Sequence, residues 1–229
     1  SEMCIRDSSE TNKEFEKVTG HKILERYGMT ETNMNTSNPY DGERRAGTVG
    51  IPLPEINIRI TDPETNVKLG SEKIGMIEIK GENIFEGYWT MEEQTKDSFT
   101  VDGYFITGDL GKFSSDGYLS IIGRNKDLII SGGLNIYPKE IEDVIDGINY
   151  VKETAIIGIP HKDFGEAVLA IVVANNEKIS ETNIMKVIQT KLAKFKQPKK
   201  IIFVSELPRN AMGKVQKQTL RNNYNKIFN

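Results

Sequence analysis

YFITGDLGKFSSDGYLSIIGRNK, Tyr104 to Lys126, is the stretch on which the fold of this chain turns. YFITGDLG and YLSIIG flank the turn former SSDG, and the spacing predicts two strands paired across it. Such pairing brings Asp109 and Arg124 to one face. A carboxylate accepts hydrogen bonds and a guanidinium donates them in a fixed fork, a combination suited to the vicinal hydroxyls of a ribose. The same two residues would also make an ordinary surface ion pair of little energetic weight. Their company decides between the two.

Upstream, INIRIT alternates with period two and ends at the turn DPETN, and GMIEIKG follows a glycine-bounded gap, so both read as strands. KILERYG reads as a strand running into a loop. SETNKEFEKVTG, from Ser9, has early acidic residues and Gly20 as a stop, which predicts a short helix. Thr90 with Glu93 predicts a capping box for another, ending at Phe99. Strands spaced this closely suggest a small barrel or a sheet corner. After Lys126 the pattern changes. Pro138 opens a helix carrying Ile141, Val144, Ile145 and Ile148 at helical spacing. VKETAIIGIP, AVLAIVVAN and KKIIFVSEL read as strands, Ser180 opens a helix with Ile184, Val187, Ile188 and Leu192 on one face, and a last helix follows Lys214. About 100 residues with their own strands and helices suffice for a separate α+β domain.

Composition bounds the function. In 229 residues, 37% hydrophobic content can bury one good core or two modest ones, and a net charge of -3 gives no global argument for nucleic acid or an anionic membrane. Cys4 is the single cysteine, which excludes an internal disulfide and a Cys-cluster metal site and fits a reducing, cytoplasmic setting. No apolar run approaches the roughly 20 residues of a membrane span, and no cleavable signal pattern stands at the start.

Three further segments accompany Asp109 and Arg124: YGMTE at Tyr27 to Glu31, RNKDLIISGGLNIYPKEIE at Arg124 to Glu142, and LPRNAMGKVQK at Leu207 to Lys217. In this order and spacing they resemble the adenylate-forming superfamily of acyl-CoA synthetases, luciferases and peptide-synthetase adenylation domains, from about Ser9 to the end of the chain. The resemblance implies an α/β and α+β architecture: residues 9–124 as the C-terminal, β-rich part of the large AMP-binding domain, 125–127 as a hinge and 128–229 as a small mobile domain. Residues 1–8 do not fit the family and read as an artefactual end.

The resemblance also implies a chemistry. A carboxylate attacks the α-phosphorus of ATP with Mg2+, giving an acyl-adenylate and pyrophosphate, and coenzyme A thiolate then displaces AMP. It places Tyr27 against adenine, the Thr30 hydroxyl on phosphate, Glu31 on magnesium, Asp109 and Arg124 on the ribose, Lys126 at the hinge, Gly132 and Gly133 along the pantetheine tunnel, and Lys214 on the bound ATP as the cation of adenylation, with Thr30, Glu31 and Lys214 as the catalytic residues. From the residues alone, Gly132 and Gly133 read as a turn between strand and helix, Thr30 and Glu31 as the polar start of a loop, and Lys214 as one lysine among the solvated Lys196, Lys199, Lys200 and Lys217. Gly213 and Pro208 single it out. His21 and His161 sit in loops beside glycine or proline and carry no catalytic expectation.

The run ETNMNTSNPYDGERRAGTVGIPLP, Glu31 to Pro54, resembles the malonyl-CoA and methylmalonyl-CoA synthetase branch. Met29 and Met34 would wall a small acyl pocket, with Asn33 and Asn35 as amide donors. A dicarboxylate needs a cation for its far end, and Arg44 and Arg45 are at hand, but the branch keeps its selective arginine upstream, so neither is assigned. The family's phosphate loop is absent, so the chain reads as a C-terminal fragment inactive by itself. A generic acyl-CoA synthetase, a peptide-synthetase adenylation module and a nucleotide-binding remnant stay open beside the malonate reading. Lys214 on its exposed loop would also meet protein acetyltransferases and deacetylases.

Overall fold

The computed structural model describes residues 9–175 and 179–228, so residues 1–8 lie outside the described residues. The chain forms two compact units, Ser1–Asn125 and Lys126–Asn229.

In the first unit, helix α1 (Ser9–Thr19) stops at Gly20, whose φ of +73° suits the left-handed conformation of a helix end. Strand β1 begins only at Arg26 (Arg26–Met29) and turns through residues 30–32 into β2 (Asn33–Ser37), with β3 (Ile51–Pro52) as the third strand of an antiparallel sheet. The NMNTS sequence of β2 has little intrinsic strand preference; side chains hold it instead. Asn35 is fully buried and donates to the Thr32 hydroxyl at 2.7 Å, while the Asn83 amide reaches the carbonyl oxygen of Thr32 and Asn35 Oδ1. Asn35 is therefore a structural tie, not a free donor for a ligand. A Cβ on Gly28 would run into the backbone carbonyl of Asn33, so the hairpin requires glycine there.

Strands β4 (Asn57–Thr61) and β5 (Gly75–Lys80), helix α2 (Glu92–Asp97), and strands β6 (Phe105–Phe113) and β7 (Leu119–Arg124) complete the unit. The strands form an antiparallel meander in the order β4-β5-β6-β7, an open sheet with two edges and not a closed barrel. Ile60, Ile77, Ile79 and Leu119 pack with Tyr27 and Val49 on its core face. Glu78 is almost fully buried in the sheet and is satisfied by Arg59 Nε at 2.6 Å and the Thr61 hydroxyl at 2.8 Å, as a buried charge must be. The expected capping box does not form. Thr90 takes φ +57°, the helix starts one residue later with Met91 as its cap, and no side chain caps it.

The second unit opens with a hairpin that the sequence reading missed. Strands β8 (Ile129–Ser131) and β9 (Leu134–Ile136) pair across Gly132 and Gly133, with φ +57° and +78°. Two consecutive positive φ values are what a tight two-residue hairpin demands, so the glycines turn strand into strand and helix α3 (Pro138–Asp146) follows β9. Proline occupies its first turn as its residues predict. Strands β10 (Val151–His161) and β11 (Gly165–Ala174) pair antiparallel, helix α4 (Glu181–Lys191) starts at a Ser180/Asn183 capping box, and β12 (Lys200–Val204) returns parallel to β11 before helix α5 (Lys217–Tyr224). The uninterrupted apolar run of β11 is explained by burial on both faces. Val168, Ala170 and Val172 meet Ile141 and Ile145 of α3 and Ile184 and Ile188 of α4, whereas Leu169, Ile171 and Val173 meet Leu207 and Leu220.

Candidate active site

Asp109 and Arg124 are direct register partners of β6 and β7, and Arg124 Nε donates to Asp109 Oδ1 at 2.8 Å. The other carboxylate oxygen accepts from the Tyr27 hydroxyl at 2.6 Å, a bond that joins the hairpin to the meander over 82 residues of sequence. Below it the Thr107 hydroxyl accepts from the Asp109 amide at 3.0 Å and donates to the Ile77 carbonyl at 2.8 Å. The Asp109 side chain is 7% exposed and that of Arg124 is 45% exposed, so the guanidinium forms the open rim over a sunken carboxylate. Burial, then the charge and hydrogen bond of Asp109, push the Tyr27 phenol far above the usual tyrosine range. It therefore remains a donor. The Tyr27 ring is itself buried, and it meets Asp109 through its hydroxyl rather than through an exposed face.

Met29 continues the same strand, its sulfur 4.0 Å from the Tyr27 hydroxyl. Thr30 is exposed at the hairpin turn and Glu31 is half-buried beside it. Tyr88 donates to Glu31 Oε1 at 3.1 Å, and the Phe85 amide binds the Glu31 carbonyl at 2.8 Å. Tyr88 was not singled out from sequence, because nothing local links GYW to a glutamate 57 residues away. Burial and Glu31 raise the Tyr88 phenol above its ordinary range. Among the described residues no group of three or more His, Cys, Asp and Glu could hold a metal, which leaves Glu31 as a single carboxylate. Arg44 donates to the carbonyls of Lys22, Pro39 and Tyr40, and Arg45 bridges Glu43 and Asp116 over the Tyr118 ring, so both are occupied by partners in their own loop and beyond it.

In the second unit, Lys126 lies in a 3-10 turn, Asn125–Asp127, and is exposed. Gly132 and Gly133 are exposed at the hairpin tip, where the Gly132 amide donates to the Phe164 carbonyl at 2.8 Å. Lys214 leaves a tight turn: the Gly213 amide donates to the Asn210 carbonyl, and the Lys214 amide to Asn210 Oδ1 at 2.9 Å. Arg209, bonded to Glu153, clasps the Gly213 carbonyl. His161 makes a local contact, its Nδ1 accepting from the Asp163 amide at 3.2 Å. Tyr27, Asp109 and Arg124 are thus joined directly, Met29, Thr30 and Glu31 follow on the same hairpin, and Gly132, Gly133 and Lys214 occupy two separate turns of their own unit. Among the described residues no helix is long and apolar enough to cross a membrane.

Residues 8–89 match the family described as AMP-binding enzyme, and residues 140–214 match the AMP-binding enzyme C-terminal domain. The chain belongs to the AMP-binding enzymes. A probable CoA ligase of Humulus lupulus is 43% identical over 223 residues, and a malonate–CoA ligase of Arabidopsis thaliana is 42% identical over 220; each alignment takes in 91% of this chain and 36% of the relative. The structure of ATP-bound MatB from Rhodopseudomonas palustris superposes with a TM-score of 0.94 at 56% identity, over 97% of this chain and 44% of that one. This AMP-binding enzyme chain therefore spans little more than a third of the curated relatives' length.

Proposed function

We propose that the protein serves as an ATP-dependent acid:CoA ligase that works through an acyl-adenylate, with malonate or methylmalonate as the acid. The observation that carries this is the sunken Asp109 carboxylate, fixed between the Tyr27 hydroxyl and the rim guanidinium of Arg124. Asp109 accepts from the ribose hydroxyls of ATP, Arg124 donates beside it, and Tyr27 keeps the carboxylate in place. The Thr30 hydroxyl donates to a phosphate oxygen. Glu31, with one oxygen taken by Tyr88, fits a magnesium ion bound through one carboxylate and phosphates, which would neutralise phosphate charge.

A carboxylate oxygen of the acid attacks the α-phosphorus, the bond to pyrophosphate breaks, and the acyl-adenylate forms. Lys214 meets the charge that gathers on the α-phosphate, a task for which a preorganised donor is commonly worth ~3 to 4 kcal/mol. The coenzyme A thiolate then attacks the acyl carbon, and AMP leaves with the bonding electrons. Gly132 and Gly133, lacking side chains, admit the pantetheine arm. Residues 125–127, with Lys126, act as the hinge between the domains at 9–124 and 128–229. Met29 borders the acyl pocket. Similarity to a malonate–CoA ligase supports a dicarboxylic substrate, and the occupied Arg44 and Arg45 leave its far carboxylate to another cation. Lys214 is also the site at which an acetyltransferase would silence adenylation and a deacetylase restore it. The single cysteine suits the cytoplasm.

Pyrophosphate release by the complete enzyme, with coenzyme A present, tests the substrate. Malonate or methylmalonate should exceed acetate, propionate, butyrate and octanoate by at least about a hundredfold, since a buried cation left unpaired by a monoacid is costly. Comparable rates with butyrate or octanoate would remove malonate while leaving the chemistry.

A further inference from the structure

Helix α5 begins three residues after Lys214 and presents Lys217 and Arg221, one turn apart, on one face. Lys217 Nζ donates to Glu142 Oε1 of α3 at 2.6 Å, and Arg221 Nη2 donates to Asp127 Oδ1 at 2.6 Å. Glu142 Oε1 accepts in addition from the Ile156 amide of β10 at 2.9 Å. Side-chain exposures are 20% and 11% for the first pair and 21% and 18% for the second, whereas the Lys139–Asp143 and Lys196–Glu140 pairs of the same unit leave their carboxylates 39% and 42% exposed. The helix does not need these pairs for attachment, because Leu220 is buried against β10 and β11 with Val215 and Tyr224 beside it. Replacing largely desolvated ion pairs by apolar contacts is often neutral for stability, and the best-attested use of such pairs is to set the register of packed elements.

The Lys214 turn is fixed on its entry side by Arg209 and Asn210, and the Gln216 amide donates to the Pro208 carbonyl at 2.8 Å. Its exit is set by where α5 starts. We infer that Lys217 and Arg221 are positioning residues for Lys214: by pairing with Glu142 and Asp127 they lock the axial placement of α5 and with it the ammonium that serves adenylation. Asp127 is the second residue of this unit and the last of the proposed hinge, so the same pair ties the Lys214 end of the unit to the hinge. The inference rests on the acid:CoA ligase reading.

The test uses the complete enzyme and three variants, Lys217→Met, Lys217→Arg and Lys214→Ala. Acyl-adenylate formation at saturating ATP, thioester formation from supplied acyl-adenylate, ATP KM and Tm are measured on each. Lys217→Met should slow adenylation on the order of ten- to thirtyfold, because small misplacements of a catalytic group are costly. Thioester formation and ATP KM should stay within about twofold, a criterion set against that larger loss, and Lys217→Arg should restore most of the rate. Should Lys217→Met fail to fold, Glu142→Gln, which keeps an acceptor for the Ile156 amide, carries the same expectation. Parallel losses in both half-reactions, or no loss in either, would overturn the inference. If Lys214→Ala itself spares adenylation, the ligase reading falls and takes the inference with it; if only Lys217→Met is silent, the ligase reading stands and the positioning role falls.

Discussion

The first unit builds its candidate site from side chains bonded to one another, while the second presents its candidate residues on backbone turns, two of them glycines and one the lysine Lys214. Tyr27, Asp109 and Arg124 form one hydrogen-bonded chain. Lys214, by contrast, is held through its amide and carbonyl by Asn210, and among the described residues of its unit no partner engages its ammonium. A group that must recognise a ligand before reaction gains from being fixed in advance. A cation that must meet charge appearing only during reaction gains from having no competing partner. The two carboxylates show the same contrast. Asp109 is buried with two partners, whereas Asp146, at the end of α3, has an oxygen without a hydrogen-bond partner among the described residues. Burial, helped by the nearby Glu142 and Asp143 and opposed by Thr154 and Lys139, raises the Asp146 carboxyl to about 6.

The comparison breaks first, and with the largest effect, at Lys214. Lys214→Ala in the complete enzyme should slow acyl-adenylate formation roughly a hundred- to thousandfold, about 3 to 4 kcal/mol, while supplied acyl-adenylate still reacts with coenzyme A. Rapid-quench measurement of each half-reaction reads this, and equal losses in both would end the division of labour.

Asp146 sharpens the contrast on the stability side. A folded-state pKa of about 6, above the ordinary 3.8, favours the neutral carboxyl in the fold. Its contribution is therefore fully present below pH 3.8 and is lost as pH rises through 6. Asp146→Asn should remove this decline and stabilise the protein at pH 7.5 on the order of 2 kcal/mol, read by urea unfolding across pH 4 to 8. A destabilised variant at pH 7.5 would mean that the ionised carboxylate has partners in solution.

Much of the second unit was legible in the sequence, because its helices carry apolar residues at helical spacing and its central strands are continuously apolar. Pro138, Ser180, Ile141 and Ile184 each stand where the periodicity puts them. The parts that were not legible depend on contacts without local pattern. The β1–β2 hairpin is held by Asn83, nearly fifty residues away, and the Tyr27–Asp109 bond joins residues 82 apart. Gly132 and Gly133 look alike whether they lead into a helix or a strand, and β9 is three residues long, too short for alternation to declare it. Thr90 and Glu93 satisfy the capping pattern, but the backbone at Thr90 is left-handed and the pattern has no effect. For the candidate site, Asp109 and Arg124 could be placed together from one turn, whereas the Tyr88 contact to Glu31 and the α5 ion pairs required the structure.

The central claim is that recognition resides in the prebonded cluster of the first unit and catalysis in the unspent cation of the second. Calorimetric titration of ATP into the complete enzyme carrying Asp109→Asn, and separately Lys214→Ala, tests it most directly. Asp109→Asn removes a charged acceptor and leaves Arg124 without its countercharge, so ATP affinity should fall about thirtyfold, about 2 kcal/mol. Lys214→Ala should bind ATP with nearly unchanged affinity. A large loss of ATP binding in Lys214→Ala, with little in Asp109→Asn, would contradict the account.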